Sequence, residues 1–201
     1  MPLSETLARR PRCATCALPA RTCVCALATP VHNDVDVLVL QHPDEARQAK
    51  GSARLLRLSL ARCRVVVGEV FEAEALRELL GDDVSTVALL YPADTVRGIC
   101  AALPAARPTR LVVLDGTWRK SLRMLHANPL LQSLPRWSVS THGPARYAAL
   151  RRARLPAQLS TLEATCAALA DVECAAQRYA PLLDAFDRFV EDRVSRATAP
   201  K

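Results

Sequence analysis

Arg110 to Trp118 reads RLVVLDGTW, and this stretch decides the fold. Leu111 to Leu114 is an unbroken apolar run that stops at Asp115-Gly116-Thr117-Trp118, and a helical pattern follows from Arg119 to Asn128. A short Val/Leu run without alternation is the pattern of a strand covered on both faces. Strand, tight turn and helix in that order, with a carboxylate at the strand end, is where open α/β sheets place ligands.

Three upstream segments share this character: Val35–Leu40, Arg64–Val67 and Val84–Leu90. Helical patterns lie between them at Ala53–Ala61, Glu72–Leu80 and Thr95–Ala102, and a fifth short strand is expected at Trp137–Val139. This alternation predicts an α/β fold with a mostly parallel sheet flanked by helices. No G-x-G-x-x-G follows the first strand, there is no Walker motif, and the chain has only six glycines. Simple dinucleotide and NTPase readings are therefore disfavoured.

Polar residues gather after the strands. The first exits into Gln41-His42-Pro43-Asp44-Glu45, the third into Tyr91-Pro92-Ala93-Asp94, and the fourth into Asp115-Gly116-Thr117-Trp118. In a parallel sheet these turns lie along one edge, and their convergence is a site signal. Each residue also has a plainer reading. Asp94 or Thr117 can cap a helix, His42 can be a satisfied polar residue before a proline, and Trp118 can fill core.

Residues 1–33 form a candidate N-terminal element, with residues 34–201 as the main domain. Cys13, Cys16, Cys23 and Cys25 have the form C-x2-C-x6-C-x-C. Four thiolates on two short knuckles can close a tetrahedron around zinc, and with all four ligands supplied the role is structural. An Fe–S cluster also accepts four cysteines, but the short closed motif favours zinc. The other four, Cys63, Cys100, Cys166 and Cys174, sit in apolar sequence and read as small core residues. Arg9, Arg10, Arg12 and Arg21 surround the element and can touch phosphates.

In the C-terminal third, Arg146, Arg151, Arg152 and Arg154 cluster around Tyr147. The pattern suits phosphate contact and base stacking; a solvated helix face accounts for it equally well. Ser160 with Glu163 three residues on is a capping box, ahead of a stripe of Leu162, Cys166 and Leu169. Capping alone explains that motif. Leu183, Phe186, Val190 and Val194 mark a last amphipathic helix, with a frayed tail from Ala197.

The chain has 201 residues, is half hydrophobic and 23% charged, and carries a net charge of +7 with 27 Lys and Arg. A basic balance favours polyanionic partners, although a codon preference for Arg and Ala would produce the same excess. No apolar run approaches the roughly 20 residues of a membrane span. No secretory signal opens the chain, so a cytoplasmic location is expected.

Taken in order, these motifs resemble the DTW-domain family, within the tRNA-uridine aminocarboxypropyltransferases. Asp115-Gly116-Thr117-Trp118 matches the namesake D-x-T-W, and the four-cysteine pattern matches the N-terminal element. His42-Pro43-Asp44-Glu45 matches H-P-x-E, and Leu90-Tyr91-Pro92 a strand-end motif. Asn128-Pro129 with Leu134-Pro135, Tyr147 with Arg151, and Ser160-Thr161-Leu162-Glu163-Ala164 complete the series. One departure is Gly51-Ser52-Ala53, where the family tends to show Asn-Thr-Gly; Ser52 keeps a hydroxyl.

The resemblance implies a fold similar to the SPOUT-type methyltransferases, with a knot at the cofactor site. It implies S-adenosylmethionine as donor of a 3-amino-3-carboxypropyl group, uridine N3 of tRNA as acceptor (the variable-loop uridine in bacterial members), and 5′-methylthioadenosine as by-product. Leu90, Tyr91, Pro92, Leu114, Thr117, Trp118, Ser160 and Thr161 would then contact the donor. Asp115 is the candidate to take the N3 proton, with Glu163 as the alternative. Arg146, Tyr147, Arg151, Arg152 and His42 would contact RNA, or Arg151 would clamp the donor's carboxylate. No membrane and no obligatory protein partner are implied. Competing readings are a SPOUT-like RNA methyltransferase, a ribosomal-RNA aminocarboxypropyltransferase and a non-enzymatic zinc RNA-binding protein.

Overall fold

The computed structural model describes residues 11–48, 51–92, 106–139 and 159–198. Its framework is one five-stranded sheet: β1 (Asp36–Gln41), β2 (Cys63–Val67), β3 (Val87–Leu90), β4 (Arg110–Asp115) and β5 (Arg136–Trp137). The strand order is β2-β1-β4-β3-β5, and every pairing is parallel. The α/β expectation therefore holds, and the strand of the opening stretch lies at the centre of the sheet.

The helices are α1 (Pro43–Ala46), α2 (Ala53–Ser59), α3 (Ala73–Leu80), α4 (Trp118–Ala127), α5 (Pro129–Gln132), α6 (Thr161–Val172) and α7 (Ala180–Thr198). The expected helix at 95–102 lies outside the described residues. Alternation along the strands divides the core in two. Val37 and Val39 of β1, with Leu111 and Val113 of β4, meet α2, α6 and α7 on one face. Leu38, Leu40, Val112 and Leu114 meet α3, α4 and α5 on the other. Strands sandwiched this way have no polar face to show, which is why they read as continuous apolar runs. Each fully buried Leu or Val stabilises the fold by about 1.5–3 kcal/mol relative to exposure.

Most strand and helix ends lie within one or two residues of expectation, and two differences carry a structural lesson. Residues 84–86 form a 3-10 turn rather than the start of β3, because the Asp83 carboxylate caps it through the Ser85 amide at 3.0 Å. Val84 is thereby left exposed, so its apolar character marked a turn. β5 begins one residue earlier than expected and ends at Trp137, so only Trp137 is shared with the expected strand. The capping box opening α6 is present in full, and Leu162, Cys166 and Leu169 are buried as expected. Cys174 departs from the core reading: it is exposed, in a left-handed turn with φ 49° after α6. No helix among the described residues is long and apolar enough to cross a membrane.

The winding of the chain places the site. After β1 the chain enters α2 on one face; after β4 it enters α4 on the other. β4 lies between β1 and β3, so its carboxyl end stands at the middle of the sheet edge where open α/β sheets hold ligands.

Candidate active site and metal centre

Parallel register sets Gln41, the last residue of β1, opposite Asp115, the last residue of β4. Both side chains point to the face carrying α6. Gln41 Nε2 donates to Asp115 Oδ2 at 2.7 Å, and the Thr161 hydroxyl donates to Asp115 Oδ1 at 2.6 Å. Asp115 is 6% exposed, so its carboxylate is buried with both oxygens engaged. Such pairing is what makes a polar group tolerable inside a fold. Gly116 then lets the chain turn tightly. A Cβ there would lie 3.1 Å from the Lys120 side chain and 3.4 Å from the Ser121 amide. Thr117 caps α4, its hydroxyl accepting from the Lys120 amide at 3.4 Å.

A cavity of about 280 Å³ opens at this edge and straddles the sheet. Tyr91, Leu114 and Trp118 wall it on one side; Leu90, Val113 and the start of α6 (Ser160, Thr161 and Ala164) wall it on the other. The Tyr91 and Trp118 rings stack with centroids 5.2 Å apart. The Arg136 guanidinium lies 5.8 Å from the Tyr91 centroid. Arg136 is 2% exposed, and its Nη1 donates to the Leu131 carbonyl at 3.0 Å. Burial lowers its pKa from the ordinary value, with the Tyr91 oxygen opposing.

Burial raises the Tyr91 phenol above its ordinary value, and Ser121 and Arg136 pull weakly the other way. Ser121 gives its own hydrogen to the Trp118 carbonyl at 3.0 Å. Among the described residues, Tyr91 Oη and Trp137 Nε1 are buried without a well-formed hydrogen bond. A buried polar group without a partner calls for an explanation, and at the edge of a cavity a bound polar group or water can supply one. A part-exposed Trp beside these groups can take a cation against its ring face or a stacked aromatic group.

Of the residues expected to contact a donor, Leu90, Tyr91, Pro92, Leu114, Trp118, Ser160 and Thr161 line the cavity. Thr117 does not. Asp115 sits one step behind the wall, with Thr161 in front of it. Glu163 is 5% exposed and accepts from the Ser160 amide at 2.8 Å, as the capping partner of α6. His42 is 3% exposed; its Nδ1 accepts from the Asp44 amide at 3.1 Å, and its Nε2 lies 3.3 Å from the Glu69 carboxylate. Arg146, Tyr147, Arg151 and Arg152 lie outside the described residues. Trp118 is 41% exposed, which excludes a core-filling role. Gln41 and Trp137 belong to the site although no motif assigned them a task; only strand register brings them there.

At the N-terminal end, the sulfurs of Cys13, Cys16, Cys23 and Cys25 all lie within 4.8 Å of one another. Cys13–Cys25 and Cys16–Cys23 are each 3.6 Å apart. A zinc tetrahedron with bonds of about 2.3 Å needs sulfurs roughly 3.8 Å apart, so the donor set fits. Amides of Cys16 and Thr15 draw the Cys13 thiol down to about 6. Burial and then the neighbouring sulfurs push Cys25 up to about 12. Ionising all four thiols together requires a compensating cation. The chain reverses between the knuckles at Ala17, in the left-handed region with φ 57°. Leu18 and Val24 pack into the α2/α6/α7 core, and Arg193 of α7 donates to the Thr22 carbonyl at 2.8 Å.

Fold and cavity together define a doubly wound α/β protein with a cavity at the carboxyl edge of its sheet. Within that class the chain belongs to the DTW domain family, whose model matches residues 10–194. It is 28% identical over 181 residues to tRNA-uridine aminocarboxypropyltransferase 2 of Macaca fascicularis, covering 84% of this chain and 59% of that protein. The protein of the same name from Mus musculus is 27% identical over 177 residues, covering 84% and 59%. That from Drosophila melanogaster is 30% identical over 173 residues, covering 82% and 68%. The chain thus spans about three-fifths of the length of the two mammalian relatives. No solved structure matches it.

Proposed function

We propose that this protein is a tRNA-uridine aminocarboxypropyltransferase that moves the 3-amino-3-carboxypropyl group of S-adenosylmethionine to N3 of a tRNA uridine. The observation that carries this reading is the cavity at the carboxyl ends of the neighbouring strands β3 and β4. It has an aromatic wall, two buried polar groups with no partner among the described residues, and a buried carboxylate immediately behind it. The names of the relatives supply the reaction class.

A sulfonium makes each attached carbon electrophilic, and the one that reacts is the one held in line with the nucleophile. The task of the protein is therefore positional. Trp118 and Tyr91 hold the donor's aromatic and cationic parts. Leu90, Leu114 and Ala164 exclude water around them, and Pro92, Ser160 and Thr161 complete the wall. Uridine N3 must shed a weakly acidic proton to attack, and Asp115 is the base within reach of the cavity. Attack at the aminocarboxypropyl carbon displaces a neutral thioether, 5′-methylthioadenosine. Residues 1–33 serve as a structural zinc element and residues 34–201 as the catalytic domain, acting on tRNA in the cytoplasm. Arg146, Tyr147, Arg151 and Arg152 contribute RNA contacts.

The test is to incubate the purified protein with tRNA and S-adenosylmethionine and follow both products by mass spectrometry. The expected result is 5′-methylthioadenosine together with an aminocarboxypropyl-uridine in the tRNA. S-adenosylhomocysteine with methylated RNA would assign a methyltransferase instead, and tRNA binding without donor turnover would leave a binding protein.

A further inference from the structure

We propose that Thr161 is a proton relay between uridine N3 and Asp115, so that the carboxylate acts through the threonine hydroxyl and never touches the RNA. The proposal rests on the transfer reading above and adds a residue and a route to it.

Three observations carry it. First, Asp115 is 6% exposed and does not line the cavity, whereas Thr161 is part-exposed and does. Second, the Thr161 hydroxyl hydrogen is already committed: it points at Asp115 Oδ1 over 2.6 Å. A hydroxyl has one donor and two acceptor positions. With its donor turned inward, Thr161 offers a ligand only lone pairs, so the group it meets in the cavity must itself be a hydrogen-bond donor. The imide N3–H of uridine is such a group. Third, the arrangement has a fixed direction. Gln41 Nε2 donates to Asp115 Oδ2 at 2.7 Å, so Gln41 holds the carboxylate from behind and Oδ1 is the oxygen turned to the Thr161 hydroxyl. Ser160, with its own hydroxyl accepting from the Glu163 amide at 3.2 Å, pins the first turn of α6 and hence Thr161.

In the step, the N3 proton passes to Thr161 Oγ1 as the Oγ1 proton passes to Asp115 Oδ1, leaving the hydroxyl neutral throughout. The N3 electron pair forms the N–C bond to the aminocarboxypropyl carbon. The C–S bond breaks with its pair going to sulfur, which ends as a neutral thioether. Asp115 is left protonated and returns its proton to solvent along the same hydroxyl once product has gone.

The experiment uses the full-length protein, S-adenosylmethionine and an unmodified tRNA transcript. Thr161→Val removes the relay at nearly constant volume and Thr161→Ala removes it with less bulk. Either is expected to lower kcat by roughly 10²–10³-fold, far more than any loss of S-adenosylmethionine affinity measured by calorimetry from trimming the cavity wall. The residual rate should rise by about tenfold per pH unit, because solution hydroxide then has to remove the N3 proton. A transcript carrying 5-fluorouridine, whose N3 proton is more acidic, should recover activity in Thr161→Val more than in the unsubstituted protein. Thr161→Ser, which keeps the hydroxyl, should recover most of the lost rate. A merely structural threonine would not be rescued by a more acidic substrate. Unchanged kcat in both Thr161→Val and Thr161→Ala, or lost donor affinity at preserved kcat, overturns the relay while leaving the transfer reading intact. Absence of 5′-methylthioadenosine from the unsubstituted protein overturns both.

Discussion

The ring of Trp118 lies over the ring of Tyr91, with centroids 5.2 Å apart and planes 19° apart. One partner is 41% exposed and the other 4%, so a buried ring braces an accessible one at the mouth of the cavity. Trp118→Ala removes the accessible ring and leaves the core untouched. Donor affinity should fall roughly tenfold, the loss of one good cation–π or stacking contact, and the thermal midpoint should hardly move. Calorimetric titration with S-adenosylmethionine measures the first and differential scanning the second. An unchanged dissociation constant would remove Trp118 from the donor site.

A second prediction concerns acid stability. The hydrogen bond from Arg62 holds the Asp36 carboxyl below the usual carboxylate range; burial opposes it and Arg110 assists. Arg62 Nε lies 2.7 Å away and Arg110 Nη2 3.2 Å. A depressed folded-state value stabilises the fold above the unfolded value of about 3.9, and that contribution disappears as pH falls through the folded value. Asp36→Asn should therefore cost stability at pH 7 and little below the folded value. The cost at neutrality, after solvent screening of a one-third-exposed carboxylate, is about 0.5–1 kcal/mol. Urea melts at the two pH values check this, and an equal deficit at both would remove the electrostatic account.

How much of this was legible in the sequence depended on whether each feature is local. β1 and β4 were readable because burial on both faces leaves only Val and Leu, and the α6 capping box because its two residues sit three apart. Thr117 and Trp118 were noticed for their position after a strand, but capping and exposure separate them: one closes α4, the other faces the cavity. Gln41 stands among the polar residues after β1, but its specific role comes from standing opposite Asp115, 74 residues away, and register is not written in either segment. His42 stood out by chemistry, yet its ring is spent on Asp44 and Glu69. Chemical type identified candidates, and only tertiary pairing sorted cap from ligand contact.

The metal element yields a third prediction. Replacing Cys13 and Cys16 by Ser should abolish bound zinc, measured by elemental analysis of the purified protein. Because Leu18 and Val24 are part of the main core and Arg193 reaches back to Thr22, the damage should spread beyond the knuckles. We expect the thermal midpoint to fall on the order of 5–10 °C, several kcal/mol for a chain of this size. Chelation of the unsubstituted protein should produce a similar loss. Undiminished zinc in the double variant would refute the four-sulfur assignment.

Two buried carboxylates are candidates for the base, and their surroundings predict different outcomes on substitution. Glu163 accepts from the Ser160 amide at 2.8 Å and closes the first turn of α6. Glutamine serves at this position of a capping box almost as well as glutamate, so Glu163→Gln should cost under about 1 kcal/mol of stability and change turnover only a few-fold. Asp115, by contrast, is joined through Thr161 to the cavity. Asp115→Asn keeps its size and can still accept the threonine hydrogen through the amide oxygen, but it cannot take a proton. Turnover should fall roughly 10²–10⁴-fold with donor affinity and folding retained. Single-turnover assays of both variants alongside circular dichroism make the comparison. If Glu163→Gln proved the slower of the two, the base would belong to α6 and Asp115 would be a scaffold for its first turn.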